Sequence, residues 1–421
     1  MRRALFGFVA LVGLVGPAAA ADPVTAALEA DDPMAVEALL RNPAGLSPAQ
    51  VGLLSGAAAA MRFDDKAAVE ALTRALAANG MPPAVRRQAL SLLGGVQLRA
   101  NNYAAAATAF DGALAVADSG QSESERHSLQ QTRDVAFALR GEAAQTHEPL
   151  REGRVAIKRD MAELPRSIGS VNGVDQEFVL DTGAGYSTIT RSTAARLKVR
   201  MLPDAITVGS VTAKAVPSQL GIAERVEIAG NTFHNAVFLV MADEALTFGG
   251  GVYKIDAILG FPVLARLGRI EFAKTADGEA FRVGVPSAPL GGNVRDLYLD
   301  MLRPMTIVEF GGAGRTRMLL DSGARRTSLN ARFAADFPAV VQSAPTEKST
   351  IGGAGATQTI DVRVLRNVTV LADGRPRRIE SVTVSGEKKD EHGAMGQDVL
   401  RAEGGFALDF NTMDFVFLPG R

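Results

Sequence analysis

The stretch SIGSVNGVDQEFVLDTGAGYSTIT, residues 167–190, decides how most of this chain must fold. Ser167 to Val171 and Glu177 to Leu180 have strand character, and the Asn172-Gly173 pair between them is a strong two-residue hairpin signal. The second run ends on an acid, Asp181, followed by Thr182, Gly183 and Ala184. The pattern returns 140 residues later as TIVEFGGAGRTRMLLDSGARRTSLN, residues 306–330. Here the turn lies at Gly311 to Gly314, and the second run leads into Asp321, Ser322, Gly323 and Ala324. The correspondence outlasts the triplets. Ser187-Thr188-Ile189-Thr190 aligns with Thr327-Ser328-Leu329-Asn330, and a short helical stretch is expected after each, over 191–197 and 331–336.

A second block is also duplicated. Ala257-Ile258-Leu259-Gly260-Phe261-Pro262-Val263-Leu264 follows the first triplet by 77 residues, counted from Asp181 to Ile258. Gly393-Ala394-Met395-Gly396-Gln397-Asp398-Val399-Leu400 follows the second by 73, counted from Asp321 to Ala394. Each block then enters a strand that ends in an acid and a phenylalanine, Glu271-Phe272 and Asp409-Phe410. A single Asp-(Thr/Ser)-Gly triplet says little. Two of them, each behind a hairpin and each answered by its own apolar-apolar-Gly block, form a specific pattern.

This pattern resembles the retropepsin-like aspartic peptidases, with both copies in one chain as in the bilobed enzymes. The arrangement is similar to the bacterial exported aspartyl proteases of the retroviral type, and the resemblance covers about residues 150–421. It implies two closed-barrel lobes, at 149–286 and 287–421, and an aspartic endopeptidase that cleaves peptide or protein substrates. Asp181 and Asp321 would be the catalytic pair. Thr182, Gly183, Ser322 and Gly323 would support the active-site loops, the two hydroxyls bonding across the lobe boundary. The chemistry suits the residues. Peptide hydrolysis without a metal or a nucleophile needs an activated water, and two adjacent carboxyls that share one proton can act as base and acid together. Gly260 and Gly396 would let their strands pass close beneath the Asp loops. The run Thr350-Ile351-Gly352-Gly353-Ala354-Gly355-Ala356 resembles a glycine-rich flap, with Gly352, Gly353 and Gly355 as candidates for a moving tip. The first lobe offers no equal, since Ile206 to Ser210 occupies the matching interval. The alternative is a non-catalytic exported peptide-binding or scaffold protein built on the same lobes.

Outward from this core, residues 22–148 are Ala- and Leu-rich with helical spacing. Ser47-Pro48 reads as an N-cap with proline at the first helical position. The stretch from Ala89 to Leu114 resembles one tetratricopeptide repeat, and residues 51–76 a more degenerate copy, in which small residues allow paired helices to approach. The expected architecture is therefore multidomain, an α-helical tetratricopeptide-like domain followed by an all-β bilobed unit. The helical domain is a candidate surface for a protein partner. At the N-terminus, Arg2-Arg3, the apolar run Ala4 to Val15 and the small residues Ala18 to Ala21 read as an export signal over 1–21, so a periplasmic or secreted location is expected.

Composition narrows the rest. Among 421 residues, 47% are hydrophobic and 22% charged, with a formal net charge of −1, so no electrostatic case exists for nucleic acid or an anionic membrane. No membrane span is expected in the mature chain. The absence of cysteine removes thiolate metal sites, disulfides and thiol nucleophiles. His127, His147, His234 and His392 lack metal-ligand spacing and are expected at ordinary surface or loop positions. Neither a metal nor a cofactor is called for.

Overall fold

A computed structural model describes residues 23–29, 32–117, 121–209, 216–284, 296–353 and 356–420. The expected export signal lies outside these residues. Seven described helices come first, from Pro23–Glu29 to Glu123–Leu139. Helices Pro33–Arg41, Pro48–Met61 and Pro83–Arg99 begin on proline, which loses no intrahelical bond there. Ser47 with Gln50, and Ser122 with Glu125, close reciprocal capping boxes. Two helical hairpins repeat with a 38-residue offset. In the first, a methyl on Gly56 would meet Leu72 at 2.5 Å, and in the second one on Gly94 would meet Phe110 at 2.6 Å. Small residues thus set the interhelical distance, as the spacing implies.

Strands take over from Gly153. In the first lobe six of them close a ring, because every strand finds two neighbours and no edge remains. The order is Pro165–Val171, Val174–Leu180, Ala257–Leu259, Ser187–Thr190, Asn231–Met241 and Val216–Ile228, which pairs back onto Pro165–Val171. The second lobe repeats the ring strand for strand. Arg303–Phe310, Gly314–Leu320, Gly393–Met395, Ser328–Leu329, Arg375–Val384 and Ala356–Ala372 close through Phe310 and Val370. Register repeats as well. Leu259 lies parallel beside Leu180, and Met395 parallel beside Leu320. Parallel neighbours need a long connection, which is why the apolar-apolar-Gly blocks follow the triplets at such a distance.

The lobes share one sheet. Arg269–Thr275 pairs antiparallel with Gly405–Asp409, Arg269 opposite Asp409 and Ala273 opposite Gly405. The rings of Phe272 and Phe406 stack across this seam at 4.7 Å and 5°. Buried Arg269 holds Glu271 at 3.0 Å and Asp409 at 3.6 Å, so both acids of the duplicated acid-Phe motif are neutralised in the interior.

The helical region packs on both lobes. Leu98, Phe110, Val135 and Leu139 share an apolar cluster with Leu202, Leu220 and Leu239 of the first. Leu53, Leu54 and Leu72 share another with Tyr298, Met305 and Leu319 of the second. Full burial of such side chains is worth about 1.5–3 kcal/mol each, so this seam is a core rather than a tether. No described helix is long and apolar enough to cross a membrane.

The structure corrects one expectation and sharpens another. The first lobe does build a hairpin where the second has its glycine-rich one. Arg200–Val208 pairs with Val216–Ile228, Gln219 standing to Val240 as Arg363 stands to Val384. Strand pairing, and not glycine, makes the hairpin, so the lack of a glycine run did not predict its absence. His392 stands in a loop, one of its two expected settings, but it is buried there. Its Nδ1 accepts from the Arg317 amide at 2.9 Å and its Nε2 faces Asp336 at 3.1 Å.

Candidate active site

Each acid stands at the end of an interior strand. Val174–Leu180 and Gly314–Leu320 deliver Asp181 and Asp321 to loops held from below by the apolar-apolar-Gly block of the same lobe. The Asp181 amide donates to the Leu259 carbonyl at 3.0 Å, and the Asp321 amide to that of Met395 at 3.1 Å. Gly260 and Gly396 then pass so close beneath that a methyl would lie 2.6 Å from the Tyr186 carbonyl carbon or 2.5 Å from that of Arg326. No larger residue fits. Ser187 and Thr327, which the duplication aligned, each accept the amide of these glycines at 3.1 Å.

The two loops meet. Thr182 donates its hydroxyl to the Leu320 carbonyl at 2.6 Å and accepts the Ser322 amide at 3.0 Å. Ser322 reciprocates, donating to the Leu180 carbonyl at 2.7 Å and accepting the Thr182 amide at 2.9 Å. These four buried bonds cross the lobe boundary in a two-fold pattern. Each hydroxyl thus both donates and accepts in the interior, where a buried polar group needs a partner.

The carboxyls interlock over this base. A methyl on Gly183 would lie 2.5 Å from Asp321 Cγ, and one on Gly323 would lie 2.3 Å from Asp181 Cγ. Neither glycine has positive φ, so what these positions require is room for the opposite carboxyl rather than a special turn. Within each loop the glycine amide donates to its own aspartate, Gly183 to Asp181 Oδ1 and Gly323 to Asp321 Oδ1, both at 2.9 Å. The Ala184 amide adds a third such bond at 3.1 Å.

Electrostatics follow from the packing. Burial raises the Asp181 carboxyl above the ordinary carboxylate range, against the Gly183 and Ala184 amides that favour its ionised form. Burial raises Asp321 further, and the charge of Asp181 adds to it, so that Asp321 stands well above that range. Carboxyls this close influence one another's ionisation.

Gln397 was not singled out in the sequence. It follows Gly396 where the first copy has Phe261, and that mismatch between otherwise parallel blocks is the signal that marks it. Its amide nitrogen donates to the Ser322 carbonyl at 2.7 Å, and its oxygen accepts from Arg159 of the other lobe at 3.0 Å. It therefore braces the second loop through a polar link to the first lobe.

Gly352 and Gly353 end the strand Thr346–Gly353, which forms a hairpin with Ala356–Ala372, Gly353 pairing with Ala356. A methyl on Gly352 would come within 3.8 Å of the Phe248 ring, so this hairpin reaches across to the first lobe. Gly355 lies outside the described residues. Among those described, no group of three or more His, Asp or Glu residues is arranged to hold a metal ion.

Residues 168–263 match the family model described as aspartyl protease. The chain is similar to the retropepsin-like aspartyl proteases. The matched segment holds Asp181 and Gly260 in the first lobe, while Asp321 enters through the duplication and the shared geometry. No curated protein matches the chain. Among solved structures, a retropepsin-like aspartic protease from Rickettsia conorii is similar at 19% identity, over 34% of this chain and 96% of that one, with a TM-score of 0.22.

Proposed function

We propose that this protein is an aspartic endopeptidase in which Asp181 and Asp321 activate water for attack on a peptide bond. The ionised oxygen of the pair takes a proton from a water held between the carboxyls. The protonated oxygen donates toward the scissile carbonyl, and a tetrahedral diol forms. Proton transfer to the amine then breaks the C–N bond, with no covalent intermediate. Thr182 and Ser322 keep the loops at fixed separation, so the geometry is set before substrate arrives. The second-lobe hairpin would close over bound peptide. Together with the N-terminal sequence, which has the pattern of an export signal, this suggests a peptidase acting outside the cytoplasm.

The observation that carries the proposal is the crossed packing of each aspartate over the opposite glycine, which brings one half-buried carboxyl from each lobe together above four inter-lobe hydrogen bonds. A protein that only bound peptides would have no need for two acids pushed above their ordinary range. The test is the purified protein on a mixed peptide library across pH 3 to 8, with and without a pepstatin-type inhibitor. Inhibitor-sensitive cleavage is expected. Cleavage that ignores the inhibitor, or no cleavage at any pH, sinks the reading.

A further inference from the structure

The helix Pro48–Met61 ends in an unusual way. Its cap is Arg62, and the next residue, Phe63, has φ +61°. Glycine or asparagine ordinarily occupies that left-handed position, and a bulky aromatic there is strained. Such a residue persists only where its surroundings hold it. The Phe63 ring lies 6.3 Å from Phe261 of the first lobe and 6.1 Å from Phe410 of the second, and those two meet edge to face at 5.8 Å. Three rings, one from each body of the protein, thus form a single cluster. Arg99 and Arg266 stand over the Phe63 ring at 5.4 and 4.7 Å, and Asp65 clamps both, at 2.6 and 3.0 Å.

Phe261 ties this cluster to the first catalytic loop. Its amide donates to the Ala184 carbonyl at 2.8 Å, three residues beyond Asp181. The matching residue in the second lobe is Gln397, whose amide donates to Ala324 at the same distance. There the side chain braces its loop through Ser322 and Arg159. Phe261 has no such polar arm, and its ring turns toward Phe63 instead. We propose that Phe63 is a positioning residue for the active site, through which the helical domain supplies the first loop with the support that Gln397 gives the second. The helical domain is then a working part of the catalytic centre rather than an appended recruiting module. This rests on the peptidase reading for its effect on rate, but not for its effect on the carboxyls.

The experiment compares full-length wild type with Phe63→Gly, Phe63→Leu and Phe63→Tyr. Glycine removes the ring and also relieves the backbone, so a residue that mattered only as a helix end would leave Phe63→Gly as stable as wild type or more so, with unchanged chemistry. The positioning role instead predicts a fall in kcat of about tenfold or more, since small displacements of catalytic groups are costly, with KM within twofold. Phe63→Leu should fall between, and Phe63→Tyr should keep near-normal kcat. The second readout is titration of the Asp181 and Asp321 carboxyls by carbon-13 NMR. The charged group each one faces is the other, so a loosened first loop should bring their two titration steps closer together. If Phe63→Gly unfolds, Phe63→Leu decides the matter. Wild-type kcat and unchanged titration in the folded variants overturn the proposal. An inactive wild type whose carboxyl titration still shifts on losing the ring sinks the peptidase reading and leaves the positioning role standing.

Discussion

Gly323→Ala isolates the geometry of the carboxyl pair from everything else in the fold. Its backbone lies outside the positive-φ region, so alanine brings no conformational strain, only a methyl. That methyl would lie 2.3 Å from both Cγ and Oδ2 of Asp181. Favourable carbon contacts begin near about 3.5 Å, so the Asp181 carboxyl must withdraw by roughly 1 Å. A shift of ~1 Å in a catalytic group costs about 100-fold in rate, or about 2.7 kcal/mol of barrier. The loss should fall on kcat, because the methyl points at the acid of the other lobe and not into the flap. Withdrawal also separates the two charges, so the acid and alkaline limbs of the pH–rate profile should move toward each other. Gly183→Ala is the mirror experiment, its methyl 2.5 Å from Asp321 Cγ. Gly112→Ala is the control, since its methyl would meet only Leu90 at an ordinary 3.5 Å. The assay is steady-state kinetics on one cleaved peptide, beside a thermal melt to show that each variant is folded. Gly323→Ala turnover within threefold of wild type, on an unchanged pH profile, would refute the reasoning.

Thr182→Val removes the hydroxyl that donates to Leu320 and accepts from Ser322. Two buried backbone groups are orphaned at about 1–3 kcal/mol each, so the melting midpoint should drop by several degrees, and a midpoint within one degree of wild type would count against the inter-lobe grip. Because burial raises both aspartates, and the charge of Asp181 raises Asp321 further, the wild-type rate should peak at mildly acidic to near-neutral pH, falling at higher pH as both ionise and at lower pH as both protonate. A hydroxyl donating to the ionised carboxylate favours that form, so Ala184→Thr and Ala324→Thr should move the bell toward acid, and a shift toward alkali would contradict this. Asp296 makes a stability prediction. Burial, and then repulsion from Asp373 and Asp414, push its carboxyl up to about 7. A folded-state value above the unfolded one, about 3.9, means that folding takes up a proton between them, so stability should decline as pH rises from about 4 to about 7 and then level off. Asp296→Asn should melt higher than wild type at pH 8 and nearly alike at pH 4, and parallel pH dependences for the two proteins would disprove the assignment.

The duplication was legible because it is written in local chemistry. A hairpin, an interior strand, an acid, a small hydroxyl and a glycine each constrain a few residues, and their order survives at an offset of 140. The ring closures were not legible. Val171 pairs with Val226 and Phe310 with Val370 by tertiary packing of strands whose sequence is generic. The first-lobe hairpin was missed for the same reason, since backbone pairing leaves little compositional trace. Gly183 and Gly323 were found by motif, but their reason lies across the lobe boundary, in the carboxyls of Asp321 and Asp181. His392 stands one residue before the duplicated block, and its burial depends on Phe333 and Phe337 folding over it. Phe63 lies within the degenerate repeat copy at 51–76, where the sequence gives it no separate role. Only its backbone angle and its two aromatic neighbours give it a role.

The most direct test of the shared-proton pair is a double-mutant cycle on its two acids. Asp181→Asn and Asp321→Asn are nearly isosteric and keep the amide donors of each loop in place, so folding should survive. Groups that act as one unit are strongly non-additive. Measured on the same peptide, each single variant should lose almost all of kcat, and the double variant should be little worse than either. Near-normal turnover in either single variant, or losses that multiply in the double, would contradict the account.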